Sequence, residues 1–252
     1  MIKLDKESYS SIYKLYQLNE SFFPLIAAVL LGEQDGVVYV DDYPSTSQAY
    51  VEHAFGFAQI FGKRVDSFEE DLESYLLIGK PFVPNKIRLY APYIPSFLAS
   101  PRQGAELSYR QRFKFPNGLI ACKKEFNGVT VDYVRSCSVN AENIFMIDKA
   151  FQVVSRFWRC PIDFIEKSNG VVVLYKGEPA SICYSAAQAD NFVEIDVLTV
   201  PAFRNLGLAK YAVIEFINRC LKLSLHPMWD CFTNNAGSMM LCKAVGFTPV
   251  CP

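Results

Sequence analysis

Phe192-Val193-Glu194-Ile195-Asp196-Val197-Leu198-Thr199-Val200-Pro201-Ala202-Phe203-Arg204-Asn205-Leu206-Gly207-Leu208-Ala209 changes its hydrophobic period midway. In a strand the first nine side chains alternate, with Val193, Ile195 and Val197 on one face and Glu194, Asp196 and Leu198 on the other. Pro201 closes that strand. From Leu206 the apolar positions Leu208, Ala209, Val213, Phe216, Ile217, Cys220 and Leu221 recur at helical spacing, so a long helix begins near Gly207. The turn between them is built to hold an anion. Gly207 lets the backbone approach a ligand closely, the first helical amides lack intrahelical partners and carry partial positive charge, and Arg204 adds a full one.

Neighbouring segments extend this strand-turn-helix into a domain. Asn140 to Trp158 carries apolar residues at Ile144, Phe145, Ile147, Phe151, Val154 and Phe157, which predicts an amphipathic helix. Gly170 to Tyr175 and Ala180 to Ala187 read as strands around the turn Lys176-Gly177-Glu178-Pro179, a hairpin. Beyond the long helix, Trp229 to Thr233 is a short strand. Gly237 to Val245 is a helix ended by Gly246, and Phe247 to Val250 is a last strand. The expected order is α-β-β-β-α-β-α-β.

Arg204, Gly207 and Ala209 match the [Q/R]-x-x-G-x-[G/A] turn of the GNAT superfamily of N-acyltransferases. Asn235, Ser238, Leu241, Cys242, Gly246 and Phe247 resemble its later N-x-x-A-x-x-L-Y-x-x-x-G-F segment, with Cys242 in place of the Tyr. Val193-Glu194-Ile195-Asp196 with Trp229-Asp230-Cys231 looks like the zwittermicin-resistance-type acetyltransferases. The resemblance implies a GNAT acyltransferase fold, α/β with a mixed central sheet, and acetyl-CoA as cosubstrate. It also implies cosubstrate contacts from Leu198, Thr199 and Val200 at the strand end, from Arg204, Asn205, Leu206, Gly207, Leu208 and Ala209 in the turn, and from Asn235. For Asn235, capping the helix is the simpler role.

Two carboxylates on one face of a sheet strand suggest a wet cleft. An alkyl ammonium must lose a proton before it attacks a thioester, at about 4 to 5 kcal/mol at pH 7, and a carboxylate offsets part of that cost. By resemblance Glu194 is the preferred general base, six positions before Val200, with Asp196 second. A backbone N–H near Leu198 or Thr199 is placed to stabilise the oxyanion. Cys242 has two readings, a small buried hydrophobe or the acid that protonates the departing thiolate.

The first half predicts a helix (Ser21 to Leu31), a strand (Gly36 to Asp41), a long β segment (Ala49 to Phe61), a helix (Asp66 to Leu77) and strands at Lys86 to Ala91 and Glu106 to Phe115. Gly36-Val37-Val38-Tyr39-Val40 echoes Gly170-Val171-Val172-Val173-Leu174, as a degenerate second GNAT-like unit would. Only Gly62-Lys63-Arg64-Val65 stands where a phosphate turn would be. Residues 1–135 are therefore expected to form a substrate-shaping or structural domain and 136–252 the acetyl-CoA-binding one, joined between Asn127-Gly128 and Asn140.

Charge and cysteine usage narrow the partners. With 25 Lys+Arg against 26 Asp+Glu, no field gathers nucleic acid or an anionic membrane, and Phe22 to Leu31 is too short to span a bilayer. Eight cysteines without a C-x-x-C pair, and only His53 and His226, call for no metal and fit a cytoplasmic chain with reduced thiols. The expected function is acetyl transfer from acetyl-CoA to a primary amine of a small molecule by direct attack. A non-catalytic acyl-CoA sensor and a protein or peptide N-acetyltransferase are the alternatives. The sequence leaves oligomeric state open.

Overall fold

A computed structural model describes residues 1–18, 21–101, 104–116, 128–134 and 141–250, and of 141–143 only the backbone. The chain divides into two compact units, Met1–Leu107 and Ser108–Pro252. Of the expected junction from Asn127 to Asn140, residues 127 and 135–140, and with them the 135/136 boundary, lie outside the described residues.

The first unit runs β1 (Ile2–Lys3), α1 (Tyr9–Gln17), α2 (Pro24–Leu30), β2 (Gly36–Val40), β3 (Gln48–His53), β4 (Phe57–Gly62), α3 (Asp66–Glu73) and β5 (Arg88–Tyr90). Its sheet has the order β1-β2-β3-β4-β5. All pairs are antiparallel except β4 with β5, which the α3 crossover makes parallel. Pro24 sets the start of α2, because a first-turn proline gives up no helical hydrogen bond. The long β segment expected over Ala49 to Phe61 is a hairpin of β3 and β4. Gly56 turns it at φ +84, and a Cβ there would lie 2.2 Å from the Lys86 carbonyl oxygen.

The second unit contains β6 (Arg110–Lys114), β7 (Val129–Tyr133), α4 (Ala141–Phe151), α5 (Pro161–Lys167), β8 (Val171–Tyr175), β9 (Glu178–Ala189), β10 (Phe192–Thr199), α6 (Leu208–Lys222), β11 (His226–Phe232), α7 (Ala236–Ala244) and β12 (Thr248–Pro249). Its sheet has the order β12-β6-β11-β10-β9-β8-β7. From β7 to β11 it repeats the first unit element for element. A strand antiparallel to the next, two helices, a three-stranded antiparallel run and a helical crossover to a parallel strand occur in both. The fold class is thus α/β with mixed sheets, and the echo between Gly36 and Gly170 reflects matching strands β2 and β8.

Two expectations need correction. The helix expected over Asn140 to Trp158 stops at Phe151, because Gln152 turns left-handed at φ +54 and Asp148 Oδ1 accepts from Val154 N–H at 3.1 Å. Val153, Val154, Phe157 and Trp158 are buried without being helical. Arg110–Lys114, grouped by sequence with the first half, pairs instead with β11 and β12 in the second unit's sheet. One face of that sheet packs on α6 and α7 through Val173, Val193, Phe216, Ile217, Trp229 and Phe247. Each such side chain contributes roughly 1.5–3 kcal/mol by burial.

Candidate functional site

The site forms where β10 and β11 part. They pair in parallel only at Phe192, Val193 and Glu194, opposite His226, Pro227 and Met228. From Met228 onward β11 pairs with β6, while β10 continues to Thr199 on β9 alone among the described strands. The register shift against β9 falls between Glu194 and Ile195, where Ala186 is the extra residue, so the bulge lies in β9 and β10 keeps its alternation. Ile195 and Val197 accordingly pack with Val193 against the α6 core, and Glu194 and Asp196 share the opposite face.

Main-chain direction along β10 follows from one bond. Val200 N–H donates to Ala180 O at 3.0 Å. Antiparallel alternation then turns the N–H groups of Leu198 and Asp196 to β9 also, and those of Thr199, Val197 and Ile195 to the edge that β11 leaves. Of the three strand-end residues expected to meet the cosubstrate, only Thr199 presents its amide there. Ser181 Oγ holds this end in place, donating to Leu198 O at 2.9 Å and lying 2.9 Å from Thr199 Oγ1.

The turn after β10 is exposed from Arg204 through Gly207. Asn205 at φ 63 and Gly207 at φ 80 are both left-handed, and Gly207 is the N-cap of the 15-residue α6. Leu208 is buried beneath it and Ala209 half-buried. The turn therefore sets unpartnered helical amides and the Arg204 side chain at the surface, a fit for a pyrophosphate. Asn235 is the N-cap of α7, its Oδ1 accepting from Ser238 N–H at 3.1 Å.

The two acids of β10 have different surroundings. Asp196 accepts from Tyr184 Oη–H at 2.7 Å and pairs with Arg156 at 3.3 Å. Glu194 is 4% exposed, and its Oε2 is buried with no hydrogen-bond partner. Burial pushes the Glu194 carboxyl up to about 8, against the pull of Arg112, with Asp230 and more weakly Asp196 pushing the same way as burial. A carboxylate with such a value is suited to general base work near neutrality.

Cys242 lies wholly inside the core, its Sγ 3.5 Å from Met239 O, and burial pushes its thiol up to about 11. This is the setting of a packed small hydrophobe. Among the described residues, Cys160, Cys183, Cys220, Cys231 and Cys242 are free thiols, no cluster of three or more His, Cys, Asp or Glu is placed to hold a metal, and no helix is long and apolar enough to cross a membrane.

Sequence reasoning did not single out Arg110 and Arg112. They stand on β6 opposite Phe232 and Asp230 of β11, and Arg112 Nη2 lies 3.9 Å from Glu194 Oε2. The signal was present in Arg110-Gln111-Arg112-Phe113-Lys114, a strand with a cation at every second position and a buried Phe between.

Residues 131–252 match the family model described as GNAT acetyltransferase. Over 98% of its length the chain is 23% identical to the uncharacterized N-acetyltransferase YdfB of Bacillus subtilis (strain 168), covering 95% of that protein. A GCN5-related N-acetyltransferase-like protein from Streptococcus suis 89/1591 is similar in structure, with TM-score 0.66, 19% identity and coverage of 97% of this chain and 96% of that one. An acetyltransferase of the GNAT family from Colwellia psychrerythraea superposes with TM-score 0.62 at 10% identity, covering 99% and 96%. A tandem GNAT protein of the clavulanic acid biosynthesis pathway gives 0.59 at 10% identity, covering 98% and 94%.

Proposed function

We propose that this chain, whose residues 131–252 match the GNAT acetyltransferase model, is an acyl-CoA-dependent N-acetyltransferase that moves acetyl from acetyl-CoA to the primary amine of a small molecule by direct attack. The observation that carries this reading is the position of Glu194, buried with a raised pKa where β10 and β11 part. The turn Arg204–Gly207 takes the pyrophosphate, and the edge amides of Val197 and Thr199 face the pantetheine arm and the thioester oxygen. Glu194 accepts the ammonium proton, directly or through a water, and the neutral amine attacks the thioester carbon held beside it; the C–S bond then breaks, the coenzyme A thiolate departs, and the second proton shed by the new amide nitrogen passes through solvent to that thiolate. No covalent acyl-enzyme is required. Asp196, engaged by Tyr184 and Arg156, shapes the acceptor side of the cleft.

A thiol-release assay with acetyl-CoA across antibiotics, polyamines, amino acids and peptides tests this. Release that depends on a small amine is the expected result. Release only with peptides would move the acceptor to the protein class. Thermal stabilisation by acetyl-CoA with no amine-dependent release would make the chain an acyl-CoA-binding module.

A further inference from the structure

We infer that Arg112, clamped between Asp230 and Glu194, is a positioning residue that favours ionisation of the Glu194 carboxyl against its burial and aims it at the acceptor amine. This inference rests on the reading of Glu194 as the base. Arg112 reaches that place because β6 is inserted between β11 and β12 and runs antiparallel to both. The register sets Arg112 opposite Asp230, two residues beyond the Met228 that pairs with Glu194. The side chains of Glu194, Asp230 and Arg112 thus meet on one face of three adjoining strands. Arg112 Nε is 3.6 Å from Asp230 Oδ2, and its Nη2 is 3.9 Å from Glu194 Oε2.

Arg110 completes the group. Its Nε pairs with Asp230 Oδ1, its Nη2 donates to Asp230 O at 3.2 Å, and its guanidinium lies 4.2 Å from the Phe232 ring centroid. Asp230 is thereby held from two sides and fixes Arg112 in turn. The charged groups facing Glu194 are Arg110 and Arg112 from β6, Asp230 from β11 and Asp196 on its own strand. On the β9 side Ala187 stands opposite Glu194, and the Tyr184 hydroxyl is engaged by Asp196. When the base works, the proton passes from the acceptor ammonium to a Glu194 oxygen, leaving a neutral amine and a carboxylic acid. Arg112 stays charged, so it favours the ionised starting state, and without it the buried carboxyl would hold its proton to a still higher pH.

The two neighbours act on Glu194 with opposite sign, which separates this role from a merely structural one. The readout is the titration of Glu194 itself, by carbon-13 NMR of protein labelled at glutamate Cδ, with the signal assigned by its loss in Glu194→Gln. Arg112→Gln should raise the midpoint by about one pH unit or more, the scale of a lost opposite charge at this distance. Arg112→Lys should stay close to the wild-type value, and Asp230→Asn should lower it, since two cations then face one carboxylate. If Arg112→Gln does not fold, the fall in Asp230→Asn carries the test. A midpoint that stays fixed in the folded variants, or moves the same way in Arg112→Gln and Asp230→Asn, overturns the inference. The titration needs no turnover. A fully active Glu194→Gln would therefore overturn the base assignment separately.

Discussion

Gln59 stands in the first sheet where Glu194 stands in the second. Each is the third residue of its strand's parallel pairing, Gln59 opposite Tyr90 and Glu194 opposite Met228. Each also lies on the face away from the crossover helix. Gln59 is hydrogen-bonded there at both ends of its amide, accepting from Tyr16 Oη–H at 2.8 Å and donating to Ser21 O at 2.8 Å. One repeat therefore carries a buried ionisable group at this point, and the other a neutral amide hydrogen-bonded at both ends.

Gln59→Glu should for that reason destabilise the protein without creating a second active site. The new oxygen would face the Ser21 carbonyl in place of the donor Nε2, an unsatisfied pair that costs about 1–3 kcal/mol. Urea denaturation measures it. An unchanged midpoint would contradict the account of Gln59.

Gly207→Val should weaken coenzyme A binding strongly while leaving the fold intact. At φ 80 a β-branched residue is strained, and the backbone must shift to relieve it. The turn is exposed, so the shift disturbs the amides more than the core. Calorimetry on folded variant protein decides, and unchanged affinity would remove the phosphate-turn assignment.

Cys242→Ala should change turnover by less than about tenfold, below the roughly 10² to 10⁴ of essential acid–base groups. The thiol belongs to the core, and a coenzyme thiolate, whose pKa is about 8.5, can be protonated by solvent after departure. The variant should instead melt at a slightly lower temperature. A hundredfold loss at unchanged melting temperature and coenzyme affinity would make Cys242 the general acid.

A fragment beginning at residue 108 should retain the second sheet, and one beginning at residue 136 should not. The longer fragment keeps β6, the strand that joins β11 to β12, and β7 at the other edge. The shorter one loses both and exposes two strand edges. Amide dispersion in two-dimensional NMR distinguishes them. Equal dispersion in both fragments would show that β6 is dispensable.

What the sequence made legible follows from the reach of its signals. Strand β10, its turn and α6 were readable because period change, proline and glycine are local signals, and the alternation along β10 placed Glu194 and Asp196 on one face correctly. The end of α4 was not readable. Val154 and Phe157 continue the helical spacing, and only a left-handed Gln152 and an Asp148 side-chain bond show that the backbone has left it. The alternation that marks Arg112 was readable, but its pairing was out of reach for a different reason. Its partner Asp230 lies 118 positions along the chain, and nothing local in Arg110–Lys114 says which sheet it joins. The different surroundings of the two acids also depended on non-local partners, Tyr184 and Arg156 for Asp196 and Arg112 for Glu194.

The pH dependence of kcat/KM in wild type and Glu194→Gln decides whether Glu194 is the base. With its carboxyl pushed up to about 8, Glu194 is mostly protonated at pH 7 and gains basic form as pH rises. Wild-type activity should therefore climb through an acidic limb near pH 8 and level off above it. Glu194→Gln should lower turnover by roughly 10² or more, remove that limb and leave coenzyme A affinity little changed. If Glu194→Gln instead retains activity within a few-fold with the limb in place, or Asp196→Asn alone produces the loss, Glu194 is not the base.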